Sequence, residues 1–207
     1  MGIELEQKYL LISDHPLTVR RKLLGLLIAK GCSARLLGDT PQRDVYYDTR
    51  GDYFLSSGGS LRLRRKQGKL LLTLKTSVEA AGDGPLARRE DELEIGGEGE
   101  LLLLVKELLP GVSLDGLQPK ALVENLRRSY EVTGPAGFLA ELDFDKVRYQ
   151  NWETGRTVLE RQVELEQLKG GPEELLRLAG QITRSLPELC PVRISKYQRA
   201  RELTEGQ

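Results

Sequence analysis

Apolar side chains alternate one for one with basic or polar ones in Leu61-Arg62-Leu63-Arg64 and again in Leu72-Thr73-Leu74-Lys75. A period of two is the mark of a β-strand with one face buried. The same alternation recurs in Ile3-Glu4-Leu5-Glu6-Gln7-Lys8-Tyr9, Arg88-Arg89-Glu90-Asp91-Glu92-Leu93-Glu94-Ile95, Glu141-Leu142-Asp143-Phe144-Asp145 and Gln162-Val163-Glu164-Leu165-Glu166. Extended to the nearest breakers, the pattern predicts strands over 3–12, 43–49, 60–66, 69–76, 86–95, 120–133, 137–150 and 157–168. Lys66-Gln67-Gly68-Lys69 reads as a tight hairpin turn, and Gly134-Pro135-Ala136-Gly137 and Asn151 to Gly155 as further turns. Three stretches shift to helical spacing: Pro16 to Lys30, Glu100 to Leu109 and Pro172 to Leu186. The first has Val19, Leu23, Leu26 and Leu27 on one side, with Gly31 just past its end; the last has Leu175, Leu178, Ala179, Ile182 and Leu186.

Antiparallel strands with few helices imply an α+β protein built on an open sheet or a closed barrel. Periodicity does not choose between them. In an open sheet the charged faces meet water; in a barrel of about eight strands they line the interior. Closure has one argument in its favour: both signs of charge recur on the same faces, so Arg and Glu can neutralise each other across a lumen. Such a lumen is costly to bury unless it holds a ligand.

The composition narrows the function. The chain has 207 residues, with 31 Lys and Arg against 31 Asp and Glu. A net charge of zero gives no global field to steer it to a nucleic-acid polymer or an anionic membrane. No apolar run approaches the length of a membrane span, and with only Cys32 and Cys190, unsuitably spaced for metal, a cytoplasmic protein with reduced thiols is expected. The single histidine, His15, sits in a turn-like Ser-Asp-His-Pro stretch and argues against His-based zinc sites and Ser-His-Asp chemistry. Trp152 reads as an exposed or half-buried aromatic, and Tyr46-Tyr47 as core.

Charge on the strand faces carries the candidate chemistry. Glu4, Glu6 and Lys8 share one face, with the two carboxylates roughly 7 Å apart. Two such carboxylates repel unless a cation lies between them, and oxygen ligands of this kind suit Mg²⁺, Mn²⁺ or Ca²⁺. Lys8 beside them suits an anion. A cation site next to an anion site is what a metal-bound polyphosphate needs.

In order and spacing, these motifs resemble the CYTH superfamily, the triphosphate tunnel metalloenzymes, which join class IV adenylate cyclase and thiamine triphosphatase. The resemblance rests on Glu4-x-Glu6-x-Lys8, Tyr46-Tyr47-Asp48-Thr49, Leu61-Arg62-Leu63-Arg64, Leu72-Thr73-Leu74-Lys75, Arg88-x-Glu90-x-Glu92, Asp145, Glu164-x-Glu166 and Ser195-Lys196-Tyr197-Gln198-Arg199. It covers residues 3 to about 203.

The resemblance implies one domain over 1–207, a closed eight-stranded antiparallel barrel with helices packed outside. It implies that Lys8, Arg62, Arg64, Lys75, Arg88, Arg127, Lys196 and Arg199 contact phosphate. It implies metal ligands among Glu4, Glu6, Glu90, Glu92, Asp145, Glu164 and Glu166, with Glu4, Glu6 and Lys8 at the catalytic centre and Mg²⁺ or Mn²⁺ as cofactor. Arg127 is preferred to Arg128 for the inward position, and Asp145 to Asp143. The implied activity is hydrolysis of a triphosphate, inorganic triphosphate foremost. A class IV-type adenylate cyclase and a thiamine triphosphatase are the alternatives. The expected partner is a triphosphate-bearing small molecule, and the expected state a monomer or homodimer.

Overall fold

The alternating segments pair edge to edge until the first meets the fifth. The computed structural model describes residues 2–77 and 86–203. Within them lie β1 (Gly2–Leu11), β2 (Ser33–Asp48), β3 (Ser60–Lys66), β4 (Lys69–Ser77), β5 (Leu86–Glu94), β6 (Gln118–Thr133), β7 (Leu139–Asn151), β8 (Thr157–Lys169) and β9 (Leu189–Val192). All pair antiparallel, in the order β5-β4-β3-β2-β6-β7-β8-β1, and β1 closes onto β5. The result is a closed eight-stranded barrel with β9 as an extra strand. One edge of β1 serves two neighbours: Gly2 to Glu6 pair with β5, and Lys8 to Leu11 pair with β9.

Alternation becomes inside and outside. Leu61, Leu63, Leu72 and Leu74 face outward and are buried with Ile95 under α3 (Leu101–Leu108). On the other side, α1 (Pro16–Ala29) and α4 (Pro172–Ser185) cover Tyr9, Leu142, Val163 and Leu165 with Leu23, Leu27, Leu175, Leu178 and Ile182. Each fully buried leucine stabilises the fold by about 1.5–3 kcal/mol, so these two clusters hold the wall in shape while its inner face stays charged. Leu93 shares the outward face with Leu63 and Leu74 but not their cover. It is 39% exposed, because α3 covers β3 and β4 and leaves the outer side of β5 open.

Some boundaries differ from the periodicity. β2 starts at Ser33, ten residues before the expected strand. There Gly38, at φ 133°, sits in a register shift between Leu36 and Gly38, and Pro41 follows, so the alternation is broken where the strand is not. Three short elements carry no periodic signal: α2 (Tyr53–Ser56), β9 and α5 (Lys196–Arg201). The Lys66–Lys69 hairpin forms as expected, with positive φ at both Gln67 and Gly68, as a type I′ turn requires. Among the described residues, no helix is long and apolar enough to cross a membrane.

At one end of the lumen the inward faces turn apolar. Ala121, Val123, Val147 and Tyr149 pack there with Tyr197, Ala200 and Leu203, so α5 and the residues after it fill that end.

Candidate active site

The remaining lumen is a cavity of about 650 Å³. Its wall includes Glu4, Glu6 and Lys8 from β1, Arg62, Arg64 and Lys66 from β3, and Lys75 from β4. Arg88, Glu90 and Glu92 from β5, Arg127 from β6, Glu141 from β7, Glu164 and Glu166 from β8, and Lys196 from α5 complete the charged lining. Strand register explains the convergence: Glu4 lies opposite Arg88, Glu6 opposite Glu166, Lys8 opposite Glu164, and Lys75 opposite Glu90.

The basic groups are held by buried acids. Asp44 is fully buried and grips Arg64 with a two-pronged pair of 2.7 Å bonds. Burial would raise its pKa, yet Arg64 and Arg62 hold it below the ordinary carboxylate range. Arg62 reaches Thr73 at 3.1 Å and Glu90 at 3.5 Å. Lys75 bridges Glu4 at 2.6 Å and Glu90 at 3.1 Å. Burial, and then Arg62, push its ammonium pKa down in spite of Glu4. Arg88 is 7% exposed and, among the described residues, has no ion-pair partner. Its guanidinium lines the cavity with no carboxylate among the described residues to occupy it.

Deeper in, one network ties three strands to α5. Arg127 donates to Asp143, Asp145 and Glu164, and Lys196 donates to Asp145 at 2.8 Å and to Glu164 at 2.6 Å. Burial opposes ionisation of Glu164, but Lys196, Lys8 and Arg127 hold its pKa well below the usual range. Burial likewise opposes ionisation of Lys196, and Asp145 and Glu164 keep it above its ordinary pKa.

The carboxylates near β1 are in the opposite condition. Glu166 is pushed up to about 7 by burial and then by the Glu4 and Glu6 charges. Glu6 Oε1 is buried with no hydrogen-bond donor; its 3.3 Å approach to the Lys8 ammonium is an ion contact of poor alignment. Crowded, under-satisfied oxygen donors are what a hard divalent cation neutralises, so Glu6 and Glu166 fit such an ion, with Glu4, paired to Lys75, and Glu164, already held by three cations, adjoining them. Among the described residues no three acids already converge on one point; Lys8 and Lys75 stand between them.

Other expected site residues fall elsewhere. Glu90 and Glu92 line the cavity beside Arg62 and Lys75 rather than beside Glu166. Asp145 lies beneath Arg127 and Lys196, outside the cavity lining. Arg199 also stands apart, pairing with Glu160 at 2.6 Å, because the turn of α5 that aims Lys196 inward directs Arg199 to β8. Arg127 faces the lumen, while Arg128 pairs with Asp39 on the surface. Asp143 and Asp145 both point inward.

Several participants carried no assignment from the sequence. Asp44, Lys66, Ser60, Glu141 and Tyr197 belong to the wall or to its support. Asp44 had a readable signal, since it shares a face with Tyr46 and Asp48 just before a family motif. Tyr46 is buried but also lines the cavity, stacked on Tyr197.

Residues 3–200 match the CYTH domain. No curated protein matches the chain. Among solved structures, one that is similar is a putative adenylyl cyclase from Hippeastrum, described as revealing a dominant triphosphatase activity. It is 20% identical, covers 97% of this chain and 95% of its own, and has a TM-score of 0.63. A putative adenylate cyclase from Bacillus halodurans is 18% identical over 96% of this chain and 98% of its own, with a TM-score of 0.61. The protein PH1819 from Pyrococcus horikoshii is 19% identical over 96% and 98%, with a TM-score of 0.58. At these identities the likeness is one of fold, whereas the domain match spans nearly the whole chain and includes both ends of the lumen's charged set. This chain belongs to the CYTH domain family.

Proposed function

We propose that this protein is a divalent-metal-dependent triphosphatase acting in the barrel lumen, with inorganic triphosphate as the foremost substrate. One observation carries the reading: eight cations, and four carboxylates from β1 and β8, face a single 650 Å³ cavity, and Arg88 stands in it without a carboxylate partner among the described residues. The size suits a small molecule. The relative from Hippeastrum, with its described triphosphatase activity, agrees.

Arg62, Arg64 and Arg88 present forked donors to phosphate oxygens, while Lys8, Lys75 and Lys196 present compact charges. Several of them must exchange a carboxylate for phosphate, and the buried acids behind them keep the cations in place meanwhile. Glu4, Glu6, Glu164 and Glu166 would hold Mg²⁺ or Mn²⁺. When bound, the ion supplies positive charge to the phosphate oxygens and acidifies a water. The role of the chain is to hold the triphosphate so that water attacks the terminal phosphorus in line. The new P–O bond forms as the bridging P–O bond breaks, giving phosphate and pyrophosphate.

The test is a product assay with inorganic triphosphate, ATP and thiamine triphosphate, each with Mg²⁺ and with Mn²⁺. Inorganic triphosphate should be turned over at least as well as ATP. Glu4→Gln and Glu6→Gln should each lower turnover by orders of magnitude while the circular dichroism spectrum stays unchanged. Intact inorganic triphosphate beside cyclic AMP and pyrophosphate from ATP would replace the hydrolase with a cyclase.

A further inference from the structure

Two motifs meet in space through residues that belong to neither the phosphate nor the metal set. Tyr46-Tyr47-Asp48-Thr49 ends β2, and Ser195-Lys196-Tyr197-Gln198-Arg199 opens α5. Asp48 is fully buried, and its carboxylate accepts four bonds: Thr49 N at 2.8 Å, Phe54 N at 2.9 Å, Leu55 N at 3.0 Å and the Tyr197 hydroxyl at 2.8 Å. The first three fix the turn into α2. The fourth has no part in that turn and ties in a residue from the far end of the chain. The Tyr197 ring also stacks on Tyr46, with centroids 5.2 Å apart and planes 10° from parallel.

Lys196 is the residue before Tyr197. Its ammonium stands in the cavity between Asp145 and Glu164. The helix that carries it is six residues long, too short to fix a side chain by its own stability. A capping box between Ser195 and Gln198 sets how the helix starts but not where it sits. Among the described residues, it is the Tyr197 hydroxyl and stacked ring that anchor the opening turn of α5 to β2.

We propose that Asp48 and Tyr197 are positioning residues that seat α5 against the barrel wall and thereby set where the Lys196 ammonium stands for phosphate. The activity arm of the test rests on the triphosphatase reading above; the chemical arm does not.

The experiment is a double-mutant cycle on Tyr197→Phe and Lys196→Met. Tyr197→Phe keeps the stacked ring and deletes only the fourth bond to Asp48. Loss of one hydrogen bond to a charged group should weaken kcat/KM, and the calorimetric affinity for inorganic triphosphate with Mg²⁺, by about tenfold. In the Lys196→Met background the same change should cost less than about twofold, because the group it positions is gone. Asp48→Asn keeps an acceptor for the Thr49 and Phe54 amides but sets its NH₂ against the Leu55 amide and the Tyr197 hydroxyl, so it should lose at least as much as Tyr197→Phe. Equal losses in both backgrounds, or no loss in either, overturn the inference. If the wild-type protein neither binds nor cleaves inorganic triphosphate, the functional reading has failed instead. The positioning is then judged by acetylation of Lys196 with acetic anhydride, followed by mass spectrometry. A rise in rate of about threefold or more in Tyr197→Phe upholds it, because a loosened ammonium is more often unpaired; an unchanged rate overturns it.

Discussion

Glu166 and Asp143 are both pushed up to about 7, with different neighbours. For Glu166 the causes are burial and then Glu4 and Glu6; for Asp143 they are burial, opposed by Arg127, and then Asp145. Unfolded, such groups titrate near pH 4. Between about pH 4 and 7 the folded state therefore binds more protons than the unfolded one, and these two groups cost stability as pH rises through that window. Glu164 and Asp145 are shifted the other way, so the stability they contribute is present above their unfolded values and is lost as pH falls. By these four groups the metal-free protein should be most stable at about pH 4–5 and lose stability toward pH 7. A cation held by Glu4, Glu6 and Glu166 needs the ionised form of Glu166 and relieves its repulsion. Millimolar Mg²⁺ should thus raise Tm more at pH 8 than at pH 5.5, and Glu166→Gln should shrink the difference. Thermal melts at the two pH values, with and without MgCl₂, measure it; equal shifts at both would take Glu166 out of the metal site.

Elements were legible where one face repeats over several turns or strand pairs. Arg62, Arg64, Lys75, Glu164 and Glu166 sit on the inner face because each is flanked by Leu or Val whose outward packing fixes the register. The same logic failed at β2, where Gly38 and Pro41 interrupt the period, and at α5, whose six residues are too few to establish one. Asp44 and Tyr197 were missed for a related reason. Their importance lies in partners across the barrel, Arg64 and Asp48, which no local spacing encodes. Arg199 was placed by resemblance alone, and the pitch of α5 carries it to Glu160. The turn into β3 offers a test at this scale. A Cβ on Gly59 would stand 2.6 Å from the Lys75 carbonyl oxygen of β4. Because a backbone atom cannot swing aside, Gly59→Ala should lower stability by about 1–3 kcal/mol. It should also displace Lys75, so that urea melts and the affinity for triphosphate change together. A variant as stable as the parent would mean that the β3–β4 pair yields more easily than its packing suggests.

In the whole molecule, the barrel closes where β1 meets β5, through five register pairs, against thirteen between β6 and β7. Amide hydrogen exchange should accordingly reach residues 2–6 and 86–90 before it reaches the middle of β6 and β7, and uniform protection around the barrel would contradict a weak seam. The strand at that seam also bears Glu4, Glu6 and Lys8, and its opposite neighbour is β8, some 160 residues later in the chain. Contacts so distant in sequence form slowly, since a long loop must close before they repay its entropy. During synthesis, a nascent chain that ends before residue 157 already carries Glu4, Arg62, Lys75 and Arg88 but has no β8 on which to seat β1. It exposes two strand edges and a row of unmatched charges, the combination that invites association with other chains. A chain whose translation stops before β8 should therefore hold no closed lumen, and leave a fragment prone to association rather than one with part of the activity.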